Sequence, residues 1–482
     1  MEVFLISIVA LIGGYFIYGL FVEKILGIDS KRLTPAYSHA DGVDYMPMST
    51  WRVFLIQFLN IAGVGPIFGA IMGVMFGPAA FLWIVFGTIF AGAVHDFVSA
   101  QMSIRAGGKS LPELVGDQLG TGIRHVMVAF SIVLLILVGA VFVRTPADLL
   151  GGMTGWSTAL WAGIILVYYV LAMLMPIDKL IGKIYPVFGA ALLFMGVGLM
   201  LYLIFGGVEI PHGMDAGLAG RMADDAKPIF PMMFVSIACG AISGFHATQS
   251  PMMARCIKNE RLARPVFYGA MITEGLVALI WAAAAIAFTG GYDQLSAYMA
   301  GHGNNAGALV KDISYGWLGT VGGILAMLGV IAAPITTGDT ALRSARLIAS
   351  DFFGIDQRPI YKRLLVSVPI FATCFVLLFV DFDVLWRYFA WSNQTLAVFT
   401  LWAATVWLAR QHKLYLITLV PALFMTTVSI TYIMYAPEGF GLDMTIALTA
   451  ATVIDVIFLL LFGRWVKCLS TTVSVQEREN YE

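Results

Sequence analysis

Apolar residues run along this chain in blocks of about twenty, long enough for each to cross the hydrocarbon of a bilayer as a single helix. Thirteen such spans are predicted, near 3–22, 51–77, 79–104, 123–144, 156–175, 186–206, 229–250, 265–289, 316–341, 363–380, 391–409, 414–435 and 443–463. The longest polar segments, 23–50, 207–228 and 290–312, read as loops between spans rather than linkers between domains. The first block starts at Val3 without a basic leader or a small-residue cleavage site, so it is read as a retained helix.

Two of the blocks are interrupted. The second contains Gly63-Val64-Gly65-Pro66, followed by Gly69. The seventh contains Gly240 and Gly244 around Ala-Ile-Ser243, followed by Phe245-His246. Proline removes a backbone donor and glycine is a poor helix former. Unpaired backbone in hydrocarbon costs several kcal/mol unless it is buried in protein or lines a wet cavity. Interrupted spans therefore predict a cavity, although small residues also serve to pack helices closely.

Spacing favours the cavity. The interrupted blocks are five spans apart, so they cross in opposite directions. An inverted repeat of five plus five helices, broken in its first member, requires that arrangement. The predicted fold class is an all-α polytopic membrane protein with a LeuT-type 5+5 inverted-repeat core. Residues 1–50 would form a peripheral first helix and loop, 51–206 the first repeat, 229–409 the second, and 410–482 two peripheral helices and a tail.

Composition agrees with a lipid solvent. Of 482 residues, 60% are hydrophobic and 12% charged, against about 25% charged in an ordinary soluble domain. That is too little charge to clothe a soluble surface. With the N-terminus outside, 23 of the 28 Lys and Arg residues fall on the inner side and 5 on the outer. The positive-inside bias then predicts a multi-pass membrane protein with a cytoplasmic C-terminus. A net charge of -1 gives no argument for nucleic acid. Cys239, Cys256, Cys374 and Cys468 have neither metal nor disulfide spacing.

The chain lacks a Gly-x-x-x-x-Gly-Lys-Ser/Thr phosphate loop, so ATP is not its direct energy source. It has no His-Glu-x-x-His and no Gly-x-Ser-x-Gly, which argues against an intramembrane enzyme, and no soluble output domain, which argues against a sensor. A secondary transporter of a small organic solute, without a cofactor, is the expected class. Conductance recording separates it from a channel. Oligomeric state is not legible.

In such a fold the free N–H groups and positive dipole of half-helix N-termini suit a carboxylate. Gly63, Gly65, Pro66, Ser243, Gly244 and His246 are the expected substrate-binding positions. Asn393 and Gln394, early in the eleventh block, either bond the solute or tie helices together.

Ionisable groups at bilayer depth are rare and commonly functional. His95 and Asp96 lie two-thirds along the third block, where Thr88, Gly92, His95 and Ser99 share one small, polar stripe. Asp96 is the better proton carrier and His95 would couple to it. Glu274 is ten residues into the eighth block, as a proton carrier or one half of a buried pair. Thr336 and Thr337, beside Pro334 and Gly338, offer hydroxyls hard enough for sodium or ordinary helix back-bonding. Asp339, Arg343 and Arg346, at i, i+4 and i+7, form either a salt-bridged inner gate or a solvated helix end. His39, Asp41 and Asp44 precede the broken span without a metal-specific spacing; a gate or loop role is expected of them, and the metal question stays open.

Several motifs together resemble the carbon starvation protein A family: Ala40-Asp-Gly-Val-Asp-Tyr-Met-Pro47, Ile61-Ala-Gly-Val-Gly-Pro-Ile67, Ala91-Gly-Ala-Val-His-Asp-Phe97, Cys239-Gly-Ala-Ile-Ser-Gly-Phe-His246 and Trp391-Ser-Asn-Gln-Thr395. They span residues 40 to 395, most of the chain. The resemblance implies an inner-membrane transporter of pyruvate or a similar small carboxylate, in symport with a proton or a sodium ion, or else of peptides. Two departures stand out. Well-known members are longer at the C-terminal side, and the family's His-His pair before the glycine break is Gln57-Phe58 here.

Overall fold

A backbone in lipid must satisfy its own polar groups, and a helix is how one segment does so. A computed structural model describes residues 1–42, 44–174, 177–211, 228–357 and 359–479, and among these no strand occurs. Of the polar segment 207–228, residues 212–227 lie outside the described ones.

The helices are, in order, α1 (Glu2–Leu26), α2 (Thr50–Ala62), α3 (Gly65–Val74), α4 (Ala79–Arg105), α5 (Leu111–Leu119), α6 (Thr121–Thr154), α7 (Thr158–Leu174), α8 (Ile177–Phe205), α9 (Ile229–Ser236), α10 (Gly244–Ala254), α11 (Glu260–Thr289), α12 (Tyr292–Gly301), α13 (Ala306–Phe353), α14 (Ile360–Leu377), α15 (Phe382–Arg410), α16 (Leu416–Tyr435) and α17 (Met444–Glu479). Each of the thirteen apolar blocks is at least partly helical. Among the described residues nine helices are long and apolar enough to cross a membrane, or ten when α2 and α3 count as one bent span.

Several helices outrun their apolar blocks. α13 covers 306–353 where 316–341 was expected, and α15 covers 382–410 where 391–409 was expected. A helix closes its own hydrogen bonds, so it need not stop where the sequence turns polar. α13 ends at Gly354, whose left-handed φ of 64° lets its N–H reach Ser350 O.

Over their most apolar stretches α4 and α11 are 78% buried, whereas α1 and α17 are 22% and 17% buried. The centre of the bundle is therefore α4 and α11 with the broken segments, and both ends of the chain lie at its rim.

Both predicted interruptions are present. α2 stops at Ala62, Gly63 takes φ +46°, and α3 leaves at 51° to α2. Pro66 sits in the first turn of α3, where its missing N–H costs nothing. On the other side α9 stops at Ser236 and α10 starts at Gly244. The two breaks touch. A Cβ on Gly65 would lie 2.3 Å from Cys239 Cβ, and one on Gly240 would lie 3.8 Å from Pro66 Cα.

Gly244 is held most tightly. An added Cβ would meet Ala397 N at 2.3 Å and Asn393 O at 2.5 Å, both backbone atoms of α15 that cannot turn aside. Gly244→Ala should therefore destabilise the protein by about 1–3 kcal/mol through overpacking. Thermal unfolding in detergent measures this, and an unchanged midpoint would show that α10 and α15 are not locked together here.

At one end of the bundle the basic segments converge. Arg264 Nε pairs with Glu23 Oε2 at 2.5 Å. Lys413 donates to Leu26 O at 2.5 Å, and Arg105 donates to Leu26 O and Gly27 O at 2.9 Å. The loop after α1 is laced to the α10–α11 connection by Thr34 Oγ1 to Ile257 O (2.7 Å) and Met48 N to Cys256 O (3.0 Å). We call this the basic end.

Candidate transport site

α4 reaches the centre through ten residues with π-type turns, Trp83–Gly92, a geometry frequent at functional sites. The predicted polar stripe of α4 lies against the second break. Thr88 Oγ1 donates to Gly240 O at 3.0 Å, satisfying a carbonyl freed by the interruption. A Cβ on Gly92 would lie 2.1 Å from Ala241 O, so this position admits glycine alone.

One turn further, α4, α10 and α11 bring four titratable side chains together. His95 Nδ1 lies 2.8 Å from Asp96 Oδ1, and His246 Nδ1 lies 2.9 Å from Asp96 Oδ2. With Asp96 ionised, its two oxygens each accept from one imidazole. On the far side of the same ring, His246 Nε2 is 3.5 Å from Glu274 Oε2, within ion-pair reach but without hydrogen-bond geometry. All four residues are fully buried. His246 Nε2, His95 Nε2 and both Glu274 oxygens have no hydrogen-bond partner among the described residues. The result is a buried row, His95, Asp96, His246, Glu274, hydrogen-bonded through its first three members and in ion-pair reach at the last. An imidazole between two carboxylates presents one nitrogen to each, so it can take a proton on one side and give one up on the other.

The remaining predicted positions divide. Asn393 Oδ1 accepts from Phe245 N–H at 2.6 Å and from Ser243 Oγ at 2.9 Å, so it caps α10. Gln394 Nε2 donates to Ile242 O at 3.3 Å and Phe234 O at 3.4 Å. Both amides thus bond the second break, Gln394 Oε1 has no partner among the described residues, and the first free N–H of α10 is taken.

Thr337 Oγ1 donates to Leu59 O at 2.9 Å, which ties α13 to the last turn of α2 beside the first break. Thr336 Oγ1 bonds back to Ala332 O and Ala333 O at 2.9 and 2.8 Å. Neither threonine touches the titratable chain through a hydrogen bond in this structure. The Asp339–Arg343–Arg346 ladder is not formed: Asp339 Oδ2 accepts from Tyr185 OH at 2.5 Å, and Arg343 Nη2 donates to Ala172 O at 2.8 Å. Helical spacing placed these charges on one face, but packing set the Tyr185 hydroxyl of α8 against the carboxylate.

Asp41 Oδ1 accepts from Asp44 N and Tyr45 N at 2.9 Å, forming a turn, while His39 Nδ1 lies 2.8 Å from Ser38 Oγ. Among the described residues no group of three or more His, Cys, Asp or Glu side chains is arranged to hold a metal ion.

Sequence reasoning missed Glu260. It is fully buried and accepts from Asp29 N–H at 2.5 Å, Arg105 Nε at 2.8 Å, Arg32 Nη1 at 3.3 Å and Gln101 Nε2. Its surroundings offered the signal, since Arg255, Lys258, Arg261 and Arg264 crowd one acid in a short segment. It noted Gln57 only as a departure from the family and passed over Asn60; both are fully buried with every side-chain polar atom unpartnered among the described residues.

The family model described as carbon starvation protein CstA matches residues 1–158, 145–322 and 307–432. The chain belongs to the carbon starvation protein CstA family. An uncharacterized membrane protein of Haemophilus influenzae is 45% identical over 336 residues, 59% of this chain and 90% of that one. A protein of Bacillus subtilis named peptide transporter CstA is 28% identical, covering 80% of this chain and 81% of its own length. The pyruvate/proton symporter BtsT of Escherichia coli is 27% identical over 55% of this chain and 46% of its own length. Among solved structures, a variant of the Eremococcus coleocola manganese transporter matches this CstA-family chain in fold, with a TM-score of 0.52 at 14% identity, over 87% of this chain and 94% of that one.

Proposed function

We propose that this CstA-family chain is a secondary transporter of the inner membrane, taking up a small carboxylate such as pyruvate with a proton. It would do so on thirteen spans with a 5+5 inverted-repeat core, residues 51–206 and 229–409, flanked by 1–50 and 410–482. The N-terminus would lie outside and the basic end would face the cytoplasm, as the positive-inside bias requires.

One observation carries the reading: the buried Asp96–His246–Glu274 chain stands directly behind the second break. Such a chain is a poor device for stability. Burying charges costs several kcal/mol each, and apolar replacements of the same volume are often neutral or stabilising. Buried ionisable groups in a membrane protein mark ion pathways. His246 is the third residue of α10, so a proton passed between Asp96 and Glu274 moves charge at the start of the half-helix that borders the break.

The solute's carboxylate would sit at the breaks, against Gly63, Gly65, Pro66, Ser243 and Gly244, and take over from Asn393 as the acceptor for Phe245 N–H. Thr336 and Thr337 remain the proposed ligands should sodium be the coupling ion. Peptide uptake is the second reading, favoured by the peptide transporter name of the B. subtilis relative that matches along most of both chains. A peptide carries a terminal carboxylate too.

Uptake of labelled pyruvate by the purified chain in proteoliposomes tests this. A pH gradient, acidic outside, should stimulate uptake several-fold and a protonophore should abolish the stimulation. Uptake of a dipeptide in place of pyruvate would turn the assignment to the second reading. Uptake indifferent to the gradient would end the proton reading.

A further inference from the structure

We infer that Arg346 is an anion-binding station between the breaks and the basic end, where it takes the carboxylate of the solute on its way through. This deepens the carboxylate reading above and rests on it.

Arg346 lies in the last two turns of α13 and is 2% exposed. Its guanidinium makes no ion pair and no side-chain hydrogen bond with any described residue, and Nε is buried without a partner. Arginine is almost never buried unless paired, because its charge costs several kcal/mol to desolvate. The two carboxylates near enough to act on it electrostatically are Asp44 and Asp339, and Arg343 and Arg363 act on it as well. Asp339 accepts from Tyr185 at 2.5 Å through Oδ2 alone, and neither Asp339 nor Asp44 forms an ion pair with Arg346. Among the described residues, then, no carboxylate lies within ion-pair distance of this buried planar cation. A guanidinium is the side chain whose geometry fits a carboxylate two-pronged.

Its position fits a path. Toward the basic end, Leu347, Ser350 and Asp351 on the same helix line a polar cavity of about 560 Å³, together with Asp44, Tyr45 and Arg255. Toward the breaks, Ser344 on α13 lies 3.4 Å from Gln249 Nε2 on α10, and Gln249 Oε1 has no partner. On α2, Gln57 and Asn60 carry four more unpartnered amide atoms within two turns of Gly63. α2 and α10 each run from a break to the basic end, and α13 passes the first break at Thr337 on its way there: Met48 N, just before α2, meets Cys256 O, just after α10, at 3.0 Å, and Arg255 Nη2 lies 4.0 Å from Asp351 Oδ2 on α13.

Unpartnered buried amides and one unpaired arginine serve no purpose in a static core, where each loses its hydrogen bonds to water. They suit a hydrated carboxylate in transit, which needs sites that attract it and none that hold it fast.

The test uses the full chain in proteoliposomes. Arg346→Gln should raise KM for pyruvate tenfold or more, with Arg346→Lys between it and the parent. Pyruvate uptake by the parent together with unchanged KM and kcat in folded Arg346→Gln would overturn the inference while leaving the transporter reading intact. Failure of the parent itself to take up pyruvate would instead remove the pyruvate reading, and a dipeptide and its C-terminal amide then replace pyruvate and its ester in both measurements. A second measurement needs no variant: phenylglyoxal modification of the parent, mapped by peptide mass. Arg346 should be modified from the basic end and protected several-fold by pyruvate, but not by methyl pyruvate. An Arg346 that is never modified, or whose modification ignores pyruvate, overturns the inference.

Discussion

Asp96→Asn should abolish gradient-driven uptake while leaving a folded protein. Asp96 Oδ1 and Oδ2 each face an imidazole Nδ1, at 2.8 and 2.9 Å. An asparagine offers one acceptor and one donor in the same space. It keeps a bond to one histidine and turns an N–H against the other, so proton exchange through His246 is cut. Acid–base groups of this kind are worth about 100-fold or more in rate, and a loss of that order is expected. Glu274→Gln should remove the response to a pH gradient as well, since Glu274 is the group on the far side of the His246 ring at 3.5 Å. Solute exchange at equal pH, which needs no net proton movement, should survive in Glu274→Gln. If both variants still respond to a pH gradient like the parent, the proton moves elsewhere.

The largest effect on stability is expected from Glu260→Ala. Glu260 is fully buried and accepts from Asp29 N–H, Arg32, Gln101 and Arg105. Arg105 in turn holds Leu26 O and Gly27 O, so one carboxylate fastens the loop after α1, the end of α4 and the start of α11. Removing one partner of a buried charge pair costs about 3–5 kcal/mol, because the other charge stays desolvated. Alanine leaves Arg105, which is 12% exposed, without its acceptor. Thermal unfolding in detergent should show a large fall in midpoint, with Glu260→Gln intermediate because it keeps an acceptor oxygen. Arg32 is 41% exposed and its own pairing matters little, so Arg32→Ala should be near neutral. Equal midpoints for Glu260→Ala and Arg32→Ala would dismiss the hub.

The breaks were legible because their cause is local. Gly63-Val64-Gly65-Pro66 cannot continue a helix whatever surrounds it, and Gly240 to Gly244 is weak enough to yield. The burial of His95, Asp96, His246 and Glu274 was legible for a similar reason: each sits inside an apolar block with no route to water along its own helix. The sequence left Asn393 and Gln394 between bonding a solute and tying helices together, and in this structure Asn393 caps α10 while Gln394 Nε2 bonds two carbonyls of the second break. That choice depended on which atoms of the second break came within reach of α15.

Read along the chain, hydropathy and the placement of glycine and proline already require helices in a lipid solvent, locate the two interruptions, and bury His95, Asp96, His246 and Glu274. Those properties follow from side-chain hydropathy and backbone chemistry within about twenty residues. Only helix packing brought Asp96, His246 and Glu274 together from three different helices, made Glu260 an anchor rather than a solvated loop charge, and left Arg346 without an ion-pair partner among the described residues. Distances between atoms far apart in sequence are set by how whole helices pack, and packing energy is spread over many residues, none of which carries it as a local pattern.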